Sequence, residues 1–176
     1  MIQRILCPTN FTSKSKAGLA YALSLAKENN AQVIMFHATA FPNVFVCPIE
    51  AEGFYHWDQL IDNFRVDHVI AEADLKLRNF VRATFGNEIK GVEWKTRVGL
   101  GSATEQIITA ALQEEADLIV MARSEKAMLV RLFTHSISEA VASTAKCPVL
   151  TIDATRASSH NRGWRVPVFS EIWQSS

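Results

Sequence analysis

Residues 121–137 form the stretch with the clearest chemical pattern. Ala122, Glu125, His135 and Ser136 stand where three glycines and a hydroxyl residue surround a phosphate in nucleotide-binding members of the family that the motifs described below resemble. Glycines suit that chemistry because backbone N–H groups can close on phosphate oxygens when no side chain intervenes. Three of these four residue types differ here, and Glu125 would also place a negative charge beside the phosphate. The pattern therefore predicts impaired phosphate binding.

For the other residues of this stretch, a purely structural role is an alternative to a role in phosphate binding. Ser136 could contact a phosphate, but Ser136 and Glu139 also form a capping-box pattern that needs no ligand. The basic residues Arg123, Lys126 and Arg131 could neutralise phosphate charge above a helix N-terminus, or could be solvated surface residues. The stretch thus combines basic residues that suit an anion with side chains that would crowd a bound phosphate.

The histidines do not form a catalytic or metal-binding pattern. His135 could fill the volume of a phosphate, but no nearby spacing provides the carboxylate or nucleophile that a catalytic histidine needs. His37 falls on a predicted buried strand, where a hydrogen-bonded core histidine is expected. His56 and His68 do not have metal-ligand spacing. We therefore predict neither catalytic residues nor a metal site.

Composition limits the classes of protein further. The chain has 176 residues, 48% hydrophobic and 20% charged, which is typical of one soluble globular domain. Its formal net charge is zero, so it offers no electrostatic reason for nucleic acid or an anionic membrane as partner. No apolar run approaches the roughly 20 residues that span a bilayer, and the first residues read as a strand, not a signal peptide. The three cysteines, Cys7, Cys47 and Cys147, favour a reducing cytoplasm, with Cys7 and Cys147 predicted to be buried.

Short β-rich runs alternate with helical patterns along the chain, which predicts βαβ units and a parallel sheet. Strands are expected over residues 2–7, 32–38, 92–98, 117–121 and 148–152, and helices over 13–30, 58–85, 102–115 and 136–144. A second capping box is expected at Ser102 and Glu105. Residues 1–153 are thus expected to form one α/β domain, which contains a Pro- and aromatic-rich loop over 41–57.

Residues 154–176 form a separate C-terminal tail. The tail has no helical periodicity, but it holds six large apolar residues: Trp164, Val166, Val168, Phe169, Ile172 and Trp173. That number is high for a solvated linker, so we expect the tail to dock on the domain or on a partner subunit.

Four motifs, in order, resemble the universal stress protein family. They are R-I-L-C-P-T-N-F-T from Arg4, V-G-L-G-S-A-T-E-Q-I from Val98, A-D-L-I-V-M from Ala116 and A-K-C-P-V-L-T-I from Ala145. Ala103 stands where the family usually has proline, and Asn10 where it usually has aspartate. An asparagine keeps an acceptor and adds donors, so a contact with a base remains feasible there.

The resemblance implies a fold, an assembly and a ligand position. The fold is an open five-stranded parallel sheet of order 3-2-1-4-5 with helices on both faces, similar to the adenine-nucleotide alpha-hydrolases. The assembly is a homodimer through the last strand: Pro148, Val149, Leu150, Thr151 and Ile152. A ligand would lie at the carboxyl ends of the first and fourth strands. Vestigial nucleotide-binding candidates are Pro8, Thr9, Asn10, Ala38, Ala122, Arg123, Glu125, Lys126, His135, Ser136 and Ile137.

Three functions remain open at this point. The preferred one is a cytoplasmic, dimeric stress-response module for binding or signalling, with ATP binding impaired or absent and no required cofactor. The alternative is a variant protein that binds ATP or AMP weakly, using side chains where relatives use backbone groups. The third is a hydrolase or transferase of nucleotides, which lacks a metal-ligating acid in the loop and a general base with a partner.

Overall fold

The computed structural model describes residues 1–40, 66–123 and 136–153, with only the backbone described for the last residue of β4 and of β5. The strands are β1 (Arg4–Pro8), β2 (Gln32–Thr39), β3 (Trp94–Leu100), β4 (Leu118–Arg123) and β5 (Val149–Asp153). The helices are α1 (Ser13–Asn29), α2 (Val66–Phe85), α3 (Ala103–Gln113) and α4 (Ile137–Thr144). The predicted loop 41–57, the first part of the second predicted helix and the tail 154–176 lie outside the described residues.

The strands form one sheet of order β3-β2-β1-β4-β5, and all four neighbouring pairs are parallel. The predicted topology is therefore confirmed. One apolar layer joins α1 and α2 to the sheet through residues such as Leu19, Leu77 and Val120. The other joins α3 and α4 through residues such as Ile107 and Val141. Burying both faces explains why the central strands carry nearly continuous apolar runs instead of alternating patterns.

Several strand boundaries differ from prediction because pairing continues beyond the apolar run. β4 extends to Arg123, since Arg123 is in register with Asp153 on β5. β3 begins two residues later than predicted and ends at Leu100, which is in register with Thr39 on β2. β1 ends at Pro8, the residue expected to stop it. Pairing with neighbouring strands thus sets where these strands begin and end, and the hydropathy of the sequence alone does not predict these boundaries.

The two predicted capping boxes have different outcomes. Ser136 accepts a hydrogen bond from the Glu139 N–H at 3.2 Å, and its own N–H donates to the Glu139 carboxylate, as predicted. The capping box at Ser102 is wrong, because Ser102 occupies the N-cap position without any side-chain capping bond. Backbone bonds fix that turn instead. Gly101 takes φ +121°, in the region that favours glycine, and donates to the Thr39 carbonyl at 2.9 Å.

Charged residues at the amino edge of the sheet are mutually satisfied. Asp117, at the start of β4, accepts hydrogen bonds from the N–H groups of Gln3 and Arg4 at 2.7 and 2.9 Å. Glu114, just after α3, pairs with Lys95 and with another cation of β3, Arg97, both at 2.5 Å. These contacts join the start of β1 to β4 and the end of α3 to β3. Within the described ranges, no helix is both long and apolar enough to cross a bilayer.

Candidate functional site

The central feature of the carboxyl edge is a gap between β1 and β4. The two strands pair only at Ile5 with Leu118 and Leu6 with Ile119, although both continue further. Successive residues of a strand direct their N–H groups to opposite edges. The N–H of Thr9 bonds the Phe36 carbonyl on β2, so the nitrogen of Pro8 faces β4. Because proline has no N–H group to donate to β4, the ladder of backbone hydrogen bonds between β1 and β4 ends at this residue. This gap lies at the switch point of the sheet, where doubly wound folds bind ligands.

The turn from β1 into α1 is closed by its own hydroxyl and amide groups. The Asn10 side-chain oxygen accepts from the N–H and the hydroxyl of Thr12, at 3.3 and 2.7 Å. The hydroxyl of Thr12 in turn accepts from the Ser15 N–H and caps α1. Below it, the buried hydroxyl of Thr9 donates to the Ser15 hydroxyl at 2.9 Å. Asn10 therefore uses its acceptor within the turn, and its amide group is the part suited to a ligand.

Phe11 adopts an unusual backbone conformation in the same turn. Its φ is +63°, a value that bulky side chains rarely adopt. The N–H of Phe11 donates to the Thr9 hydroxyl at 3.2 Å, and its ring lies 4.4 Å from that of His37. The Nδ1 atom of His37 is 2.9 Å from the Thr9 carbonyl oxygen. The predicted hydrogen bond of His37 is confirmed, but His37 is half-buried and does not belong to the core, because it lies near the carboxyl end of β2.

Ala122, the first of the predicted glycine positions, directs its methyl group away from the gap. The Ile119 N–H bonds to the Pro148 carbonyl beside β5, so the N–H of Ala122, three residues on, faces the side of β1. Its methyl group lies against Gly18 of α1, where a Cβ added to the glycine would be 3.6 Å from the Ala122 Cβ and 3.3 Å from its nitrogen. Alanine is therefore accommodated by a glycine on the facing helix. Sequence reasoning misses Gly18, although an isolated glycine inside a helical pattern often marks close packing.

The beginning of α4 supplies the second polar group near this edge. The Ser136 hydroxyl, besides its capping bond, lies 3.1 Å from the hydroxyl of the buried Ser138. Ile137, the next candidate, is 49% exposed. Both residues lie at a helix N-terminus, where the partial positive charge favours anions. Ser136 is thus both a structural cap and a residue at an anion-favouring position.

The candidates lie on three strand ends and one helix start. Pro8, Thr9 and Asn10 follow along β1, and Ala38, near the end of β2, packs partly buried on the α3 side. All share the carboxyl edge of the sheet with Ala122, so the structure brings the described candidates to one edge. Side-chain geometry for Arg123, and both backbone and side chain for Glu125, Lys126, Arg131 and His135, lie outside the described residues.

In the part of the chain that the structure describes, the thiols of Cys7 and Cys147 and the metal-ligand side chains add no reactive chemistry to this edge, and Cys47 lies outside that part. Cys7 is fully buried, and burial raises the pKa of its thiol well above the usual range, as expected for an inert core cysteine. Cys147, predicted to be buried, is only half-buried, because it packs at the margin of the α3–α4 layer. Burial also raises the pKa of the Cys147 thiol. Among the described residues, no group of three or more His, Cys, Asp or Glu could hold a metal ion.

β5 forms one edge of the sheet as far as it is described, pairing with β4. Pro148 and Thr151 are exposed, Val149 and Leu150 are partly buried, and Ile152 is buried. Apolar residues therefore extend along a strand whose outer edge has no partner among the described residues. Such an edge invites pairing with another chain.

Comparison with known proteins assigns this fold to a family. The universal stress protein family matches residues 1–153. The chain is 26% identical to universal stress protein MJ0531 of Methanocaldococcus jannaschii over 152 residues, covering 86% of this chain and 82% of that protein. The structure of MJ0577 from the same organism is similar, with a TM-score of 0.63, 22% identity, and coverage of 87% of this chain and 96% of that one.

A universal stress protein family member from Arabidopsis thaliana, solved with AMP bound, also shares the fold. It has a TM-score of 0.55 and 15% identity, covering 86% of this chain and 91% of that chain. The match over residues 1–153 is decisive, and this chain belongs to the universal stress protein family.

Proposed function

We propose that this protein is a cytoplasmic, homodimeric binding module of the stress-response type, in which ATP binds more weakly than about 1 mM or not at all. The observation that carries the proposal is the early end of the pairing between β1 and β4, which leaves a gap at the carboxyl edge near Asn10. Its position at the switch point of the sheet supports a ligand site. The sequence after β4 carries Glu125 and His135 where nucleotide-binding members of the family have glycine, which supports weak phosphate binding.

Two of the three altered positions supply most of the expected loss. The methyl group of Ala122 lies against Gly18, and the Ala122 N–H still faces the gap. Glu125 and His135 therefore remain as the residues that replace glycine with a large side chain. Losing two or three hydrogen bonds to a charged phosphate, at about 1.5–3 kcal/mol each, weakens binding by several powers of ten. Repulsion between Glu125 and the phosphate adds to that loss.

A nucleotide with one phosphate is the second candidate ligand. The Arabidopsis relative with AMP bound makes AMP the natural compound to compare with ATP. AMP carries less negative charge and needs fewer groups of the loop, so loss of the glycines harms its binding less. We assign the side-chain amide of Asn10, whose oxygen is used by Thr12, and the N–H of Ala122 to the binding of AMP.

Dimerisation through β5 completes the proposal. Pairing two copies along Val149, Leu150 and their neighbours would satisfy the open backbone groups of the edge and cover its partly buried apolar side chains. The interface would leave the gap between β1 and β4 accessible, because β4 separates β5 from it. The homodimer thus presents two ligand sites.

Analysis of the purified protein tests both parts. The protein is denatured, and the supernatant is examined by liquid chromatography for nucleotides that purified with it. We expect no stoichiometric ATP. Sedimentation equilibrium at micromolar concentration should give a dimer, and Leu150→Glu should shift it to a monomer. Stoichiometric ATP would overturn the binding claim, and a monomeric wild-type protein would overturn the assembly claim independently.

A further inference from the structure

A second surface, formed by α1 and α2, combines aromatic rings with positive charge. We name it the α1–α2 surface and define it by Phe11, Lys16, Lys76 and Phe80. The rings of Phe11 and Phe80 meet edge to face with centroids 5.2 Å apart. The Lys76 ammonium lies 5.1 Å from the Phe11 centroid, and the Lys16 ammonium lies 5.6 Å from that of Phe80. One cation is therefore placed on each ring.

These two cations have no ion-pair partner within the described parts of the chain. The ion pairs there involve Arg4, Arg78, Lys95 and Arg97. Glu72, four residues before Lys76 on the same face of α2, forms no ion pair with it, and Asp74 is bonded to Arg78 at 2.7 Å and to Thr96 at 2.6 Å. As far as the structure describes the chain, two positive charges without a paired acid thus share one surface of a protein whose net charge is zero.

Contact with the rings positions the lysines without neutralising them. A cation over an aromatic face is attracted by the ring quadrupole, yet it keeps its charge and its outward N–H donors. Ordering Lys16 and Lys76 in advance lowers the entropy that a partner must overcome on binding. Phe11 and Phe80 are themselves fixed, because both pack partly buried against the core. The α1–α2 surface is therefore preorganised for a negatively charged group.

The composition of the surface indicates the kind of partner. Two aromatic rings with two ordered cations suit a protein partner. Charge complementarity then requires acidic residues on that partner.

We propose that the α1–α2 surface binds an acidic segment of another protein, with carboxylates placed on Lys16 and Lys76. The surface adjoins the turn that carries Asn10, because Phe11 belongs to that turn, but it uses none of the groups assigned to the nucleotide. It gives a module with impaired ATP binding a way to pass on a signal.

The test measures fluorescence anisotropy of a dye-labelled peptide, Glu-Phe-Glu-Glu-Leu-Glu, as the full-length protein is added. We expect saturable binding that weakens with rising salt and is absent for the peptide with glutamine at each glutamate. Lys16→Met with Lys76→Met should weaken binding at least about ten-fold, because the charges are lost while apolar stems remain. Lys16→Arg with Lys76→Arg should restore most of it.

Lys27→Met with Lys90→Met is the matched control, since it removes two exposed lysines elsewhere and changes net charge equally. This control should bind the peptide like the wild-type protein. Equal weakening by both double variants would reduce the effect to net charge and overturn the proposal. Binding seen only after Glu50→Gln with Glu52→Gln would assign the surface to the chain's own acidic segment and would also overturn it. No binding by any form would do the same.

Discussion

The two edges of the sheet handle polar groups in opposite ways. At the amino edge, a cavity of about 450 Å³ is lined by charged and amide residues, and its acids and bases are largely paired with each other, as in the contacts of Glu114. At the carboxyl edge, the N–H of Ala122 faces a gap where β1 and β4 no longer pair. The cavity at the amino edge therefore serves to hold strand ends together, whereas the gap at the carboxyl edge is the site proposed for a ligand.

This difference separates stability from function within one sheet. Paired charges at the amino edge hold strand ends and α3 in position, so removing them should loosen the fold and leave the ligand site intact. Groups at the carboxyl edge are partly open, so changing them should alter binding more than stability. Substitutions confined to one edge can therefore separate the two roles.

The largest effect on stability is expected at Asp117. Asp117→Ala removes the acceptor of two hydrogen bonds from the start of β1, at 2.7 and 2.9 Å. Because the acceptor is a carboxylate, we expect the free energy of unfolding to fall by about 3 kcal/mol. Urea denaturation followed by circular dichroism measures it. Asp117→Asn keeps an acceptor and should lose less than half as much, so equal losses would contradict this assignment.

Glu114 should make stability depend on pH. Burial alone would raise the pKa of Glu114, but hydrogen bonds and charges from Lys95 and Arg97 outweigh burial and lower it below the ordinary 4.5. A lowered pKa in the folded state means that the stabilisation is present above about pH 4.5 and is lost as pH falls through the folded value. Glu114→Gln should therefore lower the free energy of unfolding at pH 7 by about 1–1.5 kcal/mol, because solvent screens the pairs of Glu114 with the partly exposed Lys95 and Arg97.

Measuring the unfolding free energy of wild type and Glu114→Gln from neutral pH down to about pH 3 checks this dependence. The difference between the two proteins should shrink as the pH falls below 4.5. A difference that stays constant over this range would show that the charge of Glu114 is not responsible.

The smallest effect on stability is expected at the carboxyl edge. Ser136→Ala removes the capping hydrogen bond to the Glu139 N–H and should cost about 1 kcal/mol. Ser143→Ala is the control in the same helix, where the hydroxyl only donates to the Ala140 carbonyl. The control should change stability by no more than a few tenths of a kcal/mol. Equal losses of unfolding free energy from the two substitutions would show that Ser136 does not stabilise the helix as a cap.

The sequence predicts the fold because local pattern and pairing agree. Five apolar runs separated by helical patterns, together with family motifs, identify the strand order that the structure has. The capping pattern at Ser136 is correct, whereas the similar pattern at Ser102 is not, since Gly101 sets that turn through its backbone. Two similar capping-box patterns therefore give different local structures when contacts with other strands fix one of the turns.

The candidate site is less accessible to sequence reasoning. The motif spacing identifies Ala122 but cannot give the direction of its methyl group, which depends on contact with Gly18 of a distant segment. Likewise, Lys16 and Lys76 are 60 positions apart in sequence, and only packing of Phe11 against Phe80 brings them to one surface. Long-range packing, not composition, creates both features.

The central claim is that the carboxyl edge of the sheet has a gap suited to a ligand but binds phosphate groups weakly. Isothermal titration calorimetry with ATP tests this claim. Wild type should bind more weakly than about 1 mM, and Ala122→Gly alone should change little, because the alanine methyl group lies against Gly18. Glu125→Gly with His135→Gly should strengthen binding at least about ten-fold, a gain of about 1.4 kcal/mol. Micromolar binding by the wild-type protein, or a gain from Ala122→Gly as large as that from the double variant, would contradict the account.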